Sequence, residues 1–319
     1  MAKNLKNLVL KTIDCIWFLI LVIPAIIMRM TRRLGIGRMP LSNWVLNTIG
    51  VFPILNHYYE PQFIPKFDKS LEDERNLPGI DWNISRQLDL ISKMNFEEEL
   101  ILNNDGNLDQ LKFDYSNNTF GSGDAEYFYQ IIRLLKPKNL FEIGSGSSTK
   151  MALLAINKNK SEDIDYICRH LCIEPYEMPW LESSGVELLR KKVEDLGVDF
   201  FSSLGSGDIL FIDSSHIIRP QGDVLFEYLE LLPSLNKGVI VHIHDIFSPK
   251  NYLPQWLIND RRFWNEQYLL EAFLTNNNYW EIIGSVNYLK THYYSELSRV
   301  APFLTPDRSP GSFYIRCIK

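Results

Sequence analysis

The sequence predicts an α/β fold: a doubly wound, mostly parallel sheet with an antiparallel edge pair, preceded by an N-terminal hydrophobic helix and a capping region. Three observations predict it. From residue 121 onward, short apolar runs alternate with helical patterns, which implies a parallel sheet covered on both faces. A glycine loop, Gly144-Ser145-Gly146, joins the first apolar run to its helix. Two late apolar runs, 280–286 and 312–317, have the form of an antiparallel edge pair. The chain has 319 residues, enough for about two domains, with 45% apolar and 23% charged residues. Those proportions exclude disordered, collagenous and low-complexity classes. The 18 Phe, 15 Tyr and 7 Trp suit a large core or an aromatic-lined cleft. A net charge of -6, with no long Lys/Arg cluster in the globular part, gives no nucleic-acid footprint. Cys15, Cys168, Cys172 and Cys317 lack CxxC spacing and a downstream His pair, so free thiols are expected rather than structural zinc.

Residues 15–28 read CIWFLILVIPAIIM, without a charge. Extension back to Leu8 reaches a spanning length but takes in Lys11, Thr12 and Asp14. No small-residue cleavage site follows; Arg29, Arg32 and Arg33 do. A membrane anchor over residues 1–38 is therefore expected, spanning or re-entrant, with Pro24 as a kink. Basic residues on both sides leave its orientation open. Residues 39–120 read as a connecting and capping region. Pro40, Pro53, Pro61, Pro65 and Pro78 argue against long elements before Asp81, and aromatics cluster at His57-Tyr58-Tyr59-Glu60. A single helix is expected over 85–102.

The third region, 121–319, carries the alternation. Asp124 reads as the N-cap of a helix ending at Pro137. A strand over 139–143 meets the glycine loop, and helix resumes over 150–155. Strands follow at 170–174, 186–191, 208–212 and 238–243, with helices at 179–185 and 223–232 between them. A further helix opens at Trp264-Asn265-Glu266-Gln267-Tyr268, whose polar triplet and aromatics could line an acceptor pocket. Residues 287–311 read as a long, lid-like connection.

The glycine loop lies where open α/β sheets bind ligands. A dinucleotide fingerprint needs a third glycine at position 149, where Thr149 stands. Glu142 would also repel a pyrophosphate, and suits the ammonium end of a ligand instead. Glu174 closes the second strand, where a carboxylate can accept from two ribose hydroxyls.

Phe141-Glu142-Ile143-Gly144-Ser145-Gly146-Ser147-Ser148, Cys172-Ile173-Glu174-Pro175 and Ile209-Leu210-Phe211-Ile212-Asp213 together resemble the class I S-adenosylmethionine-dependent methyltransferases. The resemblance covers roughly residues 120–319 and implies a seven-stranded sheet. It implies S-adenosylmethionine as cofactor, with Glu142, Gly144, Gly146 and Ser148 around its methionine part, Glu174 at the ribose, Val193-Glu194-Asp195 near the adenine with Asp195 as the contact, and Asp213 beside the bound molecule. Ser148 replaces the third glycine of the family's fuller loop pattern.

Asp213-Ser214-Ser215-His216 follows the fourth strand, and His242-Ile243-His244-Asp245 closes the fifth; both places face one cleft. Methyl transfer gains much of its rate from alignment. A hydroxyl acceptor must also lose its proton, to a histidine or through acidification by a divalent ion. Asp213, His216 and Asp245 are the expected catalytic residues; His242 reads better as a packing residue. The pattern resembles a branch containing macrolide and sugar O-methyltransferases and cephalosporin-hydroxylase-like proteins. That resemblance implies Mg²⁺ or another divalent metal at Asp213, His244 and Asp245. His244 stands where the branch has an acid, which departs from the oxygen ligands that Mg²⁺ prefers.

The resulting expectation is a membrane-associated enzyme with its catalytic domain in the cytoplasm. It would methylate a hydroxyl of a sugar, lipid-linked glycan or other small molecule. Its partners would be that acceptor and membrane lipid, with no nucleic acid, and a homo-oligomer is left open. The alternatives are a non-catalytic cofactor-binding assembly protein and a nicotinamide-dependent oxidoreductase.

Overall fold

The computed structural model describes residues 2–56, 61, 67–104, 113–176, 178–260 and 262–319. The chain forms two compact units, Met1–Lys66 and Phe67–Lys319. The region expected to connect and cap is thus divided, and residues 67–120 share a unit with the sheet. The aromatic cluster at 57–60 lies outside the described residues.

In the first unit, α1 (Ala2–Leu34) runs unbroken through Pro24. Within Asn7–Leu34 an 18-residue window reaches a mean hydropathy of 2.2, and none of that window is buried. By length and composition this helix can cross a membrane. A second, short helix, α2 (Pro40–Ile49), lies in the proline-bearing stretch where long elements were not expected. Pro40 is at its start, where a missing N–H costs nothing. Gly50, at φ +78°, ends it and donates to the carbonyl of Leu46.

The second unit opens with two helices where one was expected, α3 (Ile84–Ser92) and α4 (Glu97–Asn104). After α5 (Asp124–Leu135) come β1 (Asn139–Ile143), α6 (Ser147–Glu162), β2 (Arg169–Ile173), β3 (Glu187–Leu189) and β4 (Ile209–Ile212). The helix expected at 179–185 is a 3₁₀ turn, Pro179–Ser183. Next, α7 (Asp223–Phe226) continues through a π-helical stretch into α8 (Leu232–Ser234). Then follow β5 (Ile240–Ile243), α9 (Glu266–Leu274), β6 (Trp280–Ser285), α10 (Val286–His292), α11 (Tyr294–Val300) and β7 (Phe313–Cys317). The lid-like connection therefore holds two helices. Tyr294, Leu297 and Val300 of α11 pack into the core, which holds this stretch in regular structure.

The sheet has the order β3-β2-β1-β4-β5-β7-β6. Pairs among β1 to β5 are parallel, and β7 is antiparallel to both β5 and β6. Every residue of β4 and β5 is buried, as strands covered on both faces must be. Alternate residues divide between two cores: Leu140 and Phe211 belong to one, Phe141 and Leu210 to the other. Buried Arg133 locks three helices together, donating to Glu99 of α4 (2.8 Å), Glu162 of α6 (2.8 Å) and Asn159. The parallel strands all end on one edge, and the strand order reverses between β1 and β4. That switch point is where such sheets make a cleft.

A cleft at the ends of β1, β4 and β5

At the switch point β1 and β4 run on into loops that touch. Asp213 N donates to Ile143 O at 2.8 Å, and Gly144 N donates to Ile173 O at 3.0 Å. Gly144 has φ +76°, and a Cβ there would lie 2.0 Å from the carbonyl oxygen of Asp213. Only glycine permits that crossing. Gly146 differs: its φ of 177° suits any residue, and a Cβ would meet only Met178 at 3.7 Å.

Glu142 does not open into the cleft. It is fully buried beneath the loop, accepting from Ser148 Oγ (2.8 Å) and Thr149 Oγ1 (3.1 Å) and lying against His170 Nε2. Thr149, the residue that broke the dinucleotide pattern, is thus part of the loop's support. Glu142 braces the turn from behind and leaves no open carboxylate for a ligand's ammonium. Glu174 does reach the cleft, accepting from the backbone N–H groups of Ser145 (3.3 Å) and Tyr176 (3.0 Å).

Three cavities adjoin here, the first two sharing Gly144, Glu174 and Asp213 and the last two sharing His244 and Asp245. One of about 350 Å³ is lined by Gly144, Glu174, Val193, Glu194 and Asp213. A second, of about 320 Å³, is lined by Gly144, Gly146, Ser148, Glu174, Asp213 and His216. The third, about 510 Å³, extends from His244 and Asp245 to Asp124, Trp256, Arg262 and Arg308. Asp195 lines none of them. It ends a three-residue 3₁₀ turn whose first residue, Val193, is buried, and it points to solvent. At three residues per turn successive side chains diverge widely, so of Val193-Glu194-Asp195 the first two line the cavity and Asp195 does not.

Asp213, His216 and Asp245 converge where the cavities meet, each offering a ligand atom within 4.8 Å of the others. His216 Nε2 is 3.3 Å from Asp213 Oδ1 and 3.5 Å from Asp245 Oδ2. His244 joins them, its Nδ1 3.4 Å from Asp213 and 3.5 Å from Asp245. That Nδ1 is buried without a hydrogen-bond partner among the described residues. His216 and Asp245 hold φ of 59° and 60°, unusual for non-glycine residues and typical of strain kept at functional sites.

The charges are interlocked. Burial opposes the charge on Asp213, but His244 and His216 more than offset it and hold its carboxyl below the usual range. Burial pushes Asp245 up to about 6, against the pull of His244 and His216. Burial also opposes charge on both histidines, yet the surrounding carboxylates raise them well above the ordinary value. His242 behaves oppositely: burial lowers it, its Nε2 meets Ser312 Oγ at 2.8 Å, and its ring stacks on Tyr314. It packs the core, as expected.

Residues that the sequence singled out for other roles build the site through tertiary pairings. Glu266, fully buried, accepts from His216 Nδ1 (2.7 Å) and Tyr228 Oη (3.0 Å). Of the polar triplet at the start of α9, none lines these three cavities: Asn265 and Gln267 accept from the backbone of Ile218 and Phe247. Trp264, one of the aromatics of that stretch, does line one, as expected. Asp124 is not the N-cap of α5; Gly123 is, with Glu126 accepting from its N–H at 2.5 Å. Asp124 instead accepts from Ser312 N (2.7 Å) and faces His244 Nε2 at 3.6 Å.

Residues 141–246 match a family model described as a methyltransferase domain. The match covers the core of the sheet from β1 to β5, and the strand order above is the seven-stranded order that the resemblance to class I methyltransferases implied. No curated protein matches the chain. Similar solved structures include the S-adenosylhomocysteine-bound methyltransferase PaMTH1 of Podospora anserina. It is 15% identical with a TM-score of 0.38, over 61% of this chain and 78% of that one. An O-methyltransferase from Bacillus cereus in complex with S-adenosylhomocysteine is 12% identical with a TM-score of 0.37, over 75% and 98%.

Proposed function

We propose that this methyltransferase acts on a hydroxyl of a sugar, lipid-linked glycan or other small polyhydroxylated molecule, at a membrane and with the help of a divalent cation. One observation carries the reading: two carboxylates and two imidazole nitrogens converge between the cavity at the glycine loop and a polar cavity of about 510 Å³.

S-adenosylmethionine supplies an electrophilic methyl group. Gly144, Gly146 and Ser148 would border its methionine part, with Glu142 fixing their loop from below. Glu174 would take the ribose hydroxyls, and Val193 and Glu194 would border the adenine. Asp213 lines both smaller cavities and would sit between the two halves.

The donor set fits a divalent cation. Asp213, Asp245 and His216 supply O, O and N donors, and His244 Nδ1 is an orphaned atom facing the same carboxylates. Glu266 on the far nitrogen of His216 is the second-sphere partner that fixes a ligating imidazole. Nitrogen donors favour Mn²⁺, Fe²⁺ or Zn²⁺ over Mg²⁺. A cation there would acidify an acceptor hydroxyl. Asp124, Trp256, Arg262 and Arg308 of the larger cavity offer the polar and aromatic surface that a sugar needs. The unburied apolar α1 would hold the enzyme at the bilayer, with the catalytic unit in the cytoplasm where its cofactor is made.

The test is transfer of labelled methyl from S-adenosylmethionine to a panel of glycans and lipid-linked glycans, with and without chelator. Methylation of a hydroxyl, lost with chelator and restored by Mn²⁺, is expected. Transfer only to nitrogen or sulfur acceptors, indifferent to chelator, would end this reading.

A further inference from the structure

We propose that α2 is an interfacial helix lying along an anionic lipid surface at the arginine end of α1. The proposal rests on the reading of α1 as a membrane anchor, and adds a second contact of different chemistry. Leu41, Val45 and Ile49 recur every four residues with Trp44 beside them, so they share one face of the helix. That face is bare: Leu41 is 81% exposed, Trp44 66% and Ile49 69%. The opposite side carries Asn43 and Asn47, hydrogen-bonded at 3.1 Å, and the buried Leu46. A short helix with an apolar face tipped by tryptophan suits the boundary between headgroups and acyl chains.

Charge identifies the surface. Seven of the 33 basic residues and one of the 39 acidic residues precede Glu60, so this stretch carries +6 and the remainder -12. Between Cys15 and Tyr59 the charged residues are Arg29, Arg32, Arg33 and Arg38 alone. They lie between the apolar span and α2, where headgroups stand if α1 crosses the bilayer. A second copy of this chain would bring the same positive charge against itself; anionic lipid neutralises it.

The experiment uses the full chain in vesicles of phosphatidylcholine and phosphatidylglycerol. In a Cys15→Ser background, an environment-sensitive fluorophore is attached through Trp44→Cys, Asn47→Cys or Ile20→Cys. Quenching is compared for a nitroxide near the lipid headgroup, a nitroxide deep in the chain, and aqueous acrylamide. The position-44 label should be quenched several-fold more by the shallow nitroxide than the position-47 label, which acrylamide should reach. The position-20 label should respond to the deep nitroxide. Equal acrylamide quenching at 44 and 47, with position 20 still deep, would overturn the interfacial helix and leave the anchor standing. Acrylamide access at position 20 would overturn the anchor and this proposal together. In pure phosphatidylcholine the position-44 label should become several-fold more accessible to acrylamide; no change would overturn the anionic preference.

Discussion

His216 and Glu266 form the hinge of the site: Nδ1 of the imidazole lies 2.7 Å from Oε2 of a carboxylate with no exposed surface. Glu266 belongs to α9 and His216 to the loop after β4, so this bond ties the loop to a helix fifty residues away. It directs Nε2 toward Asp213 and Asp245. Glu266→Gln should keep the shape but weaken the orientation, lowering metal affinity about 10- to 100-fold with turnover falling alongside. Binding of S-adenosylhomocysteine should be unchanged. Titration with Mn²⁺ and calorimetry with the nucleoside separate the two effects; unaltered Mn²⁺ affinity would remove Glu266 from the site.

The two loop glycines should behave differently. Gly144→Ala forces a Cβ against the Asp213 carbonyl at positive φ, so cofactor binding should be lost and the thermal midpoint should fall by several degrees. Gly146→Ala meets only a flexible methionine and should leave stability within about 0.5 kcal/mol of the parent. Thermal scans with and without S-adenosylhomocysteine check both; equal damage at the two positions would contradict the loop geometry.

Arg133 is a structural keystone remote from the chemistry. Its guanidinium is buried among α4, α5 and α6 with two glutamate partners. Arg133→Ala should cost about 3–5 kcal/mol, because removing one side of a buried ion network strands the rest. Urea unfolding measures it, and a loss below about 1 kcal/mol would show that the network contributes little.

Glu126 gives a pH signature. Burial raises its folded-state pKa to about 7 from 4.5, although Gly123, Ser122 and Phe303 donate to it. The folded protein therefore holds this proton more tightly than the unfolded chain. Stability from this group is greatest below about pH 4.5 and falls as pH rises to about 7, by on the order of 3 kcal/mol. Glu126→Gln should flatten that slope in unfolding measured across the window; an unchanged slope would assign it elsewhere.

The sheet was legible because its strands are apolar runs separated by helical ones, and the residues that end β1, β2, β4 and β5 stand at fixed places in that alternation. Asp213, His216, His244 and Asp245 could be read together because two strand ends in a doubly wound sheet must share a cleft. Glu142 was misplaced because period two gives its face of the strand, but not the depth at which Ser148, Thr149 and His170 enclose it. Asp195 failed because a 3₁₀ turn redirects neighbouring side chains by an angle that the sequence does not print. The pairing of Glu266 was invisible for a third reason: its partner lies fifty residues away, and a pairing made only by tertiary packing leaves no local pattern.

The central claim is that a cation held by Asp213, His216 and Asp245 lies in the same cavity as the transferable methyl group. Nuclear relaxation of S-adenosylmethionine carrying a ¹³C-labelled methyl, bound to the enzyme and titrated with Mn²⁺, tests it directly. Strong paramagnetic broadening of the methyl resonance is predicted, abolished by Asp245→Asn while the nucleoside stays bound. Mn²⁺ that binds without broadening that resonance, or broadening that Asp245→Asn leaves intact, would contradict the account.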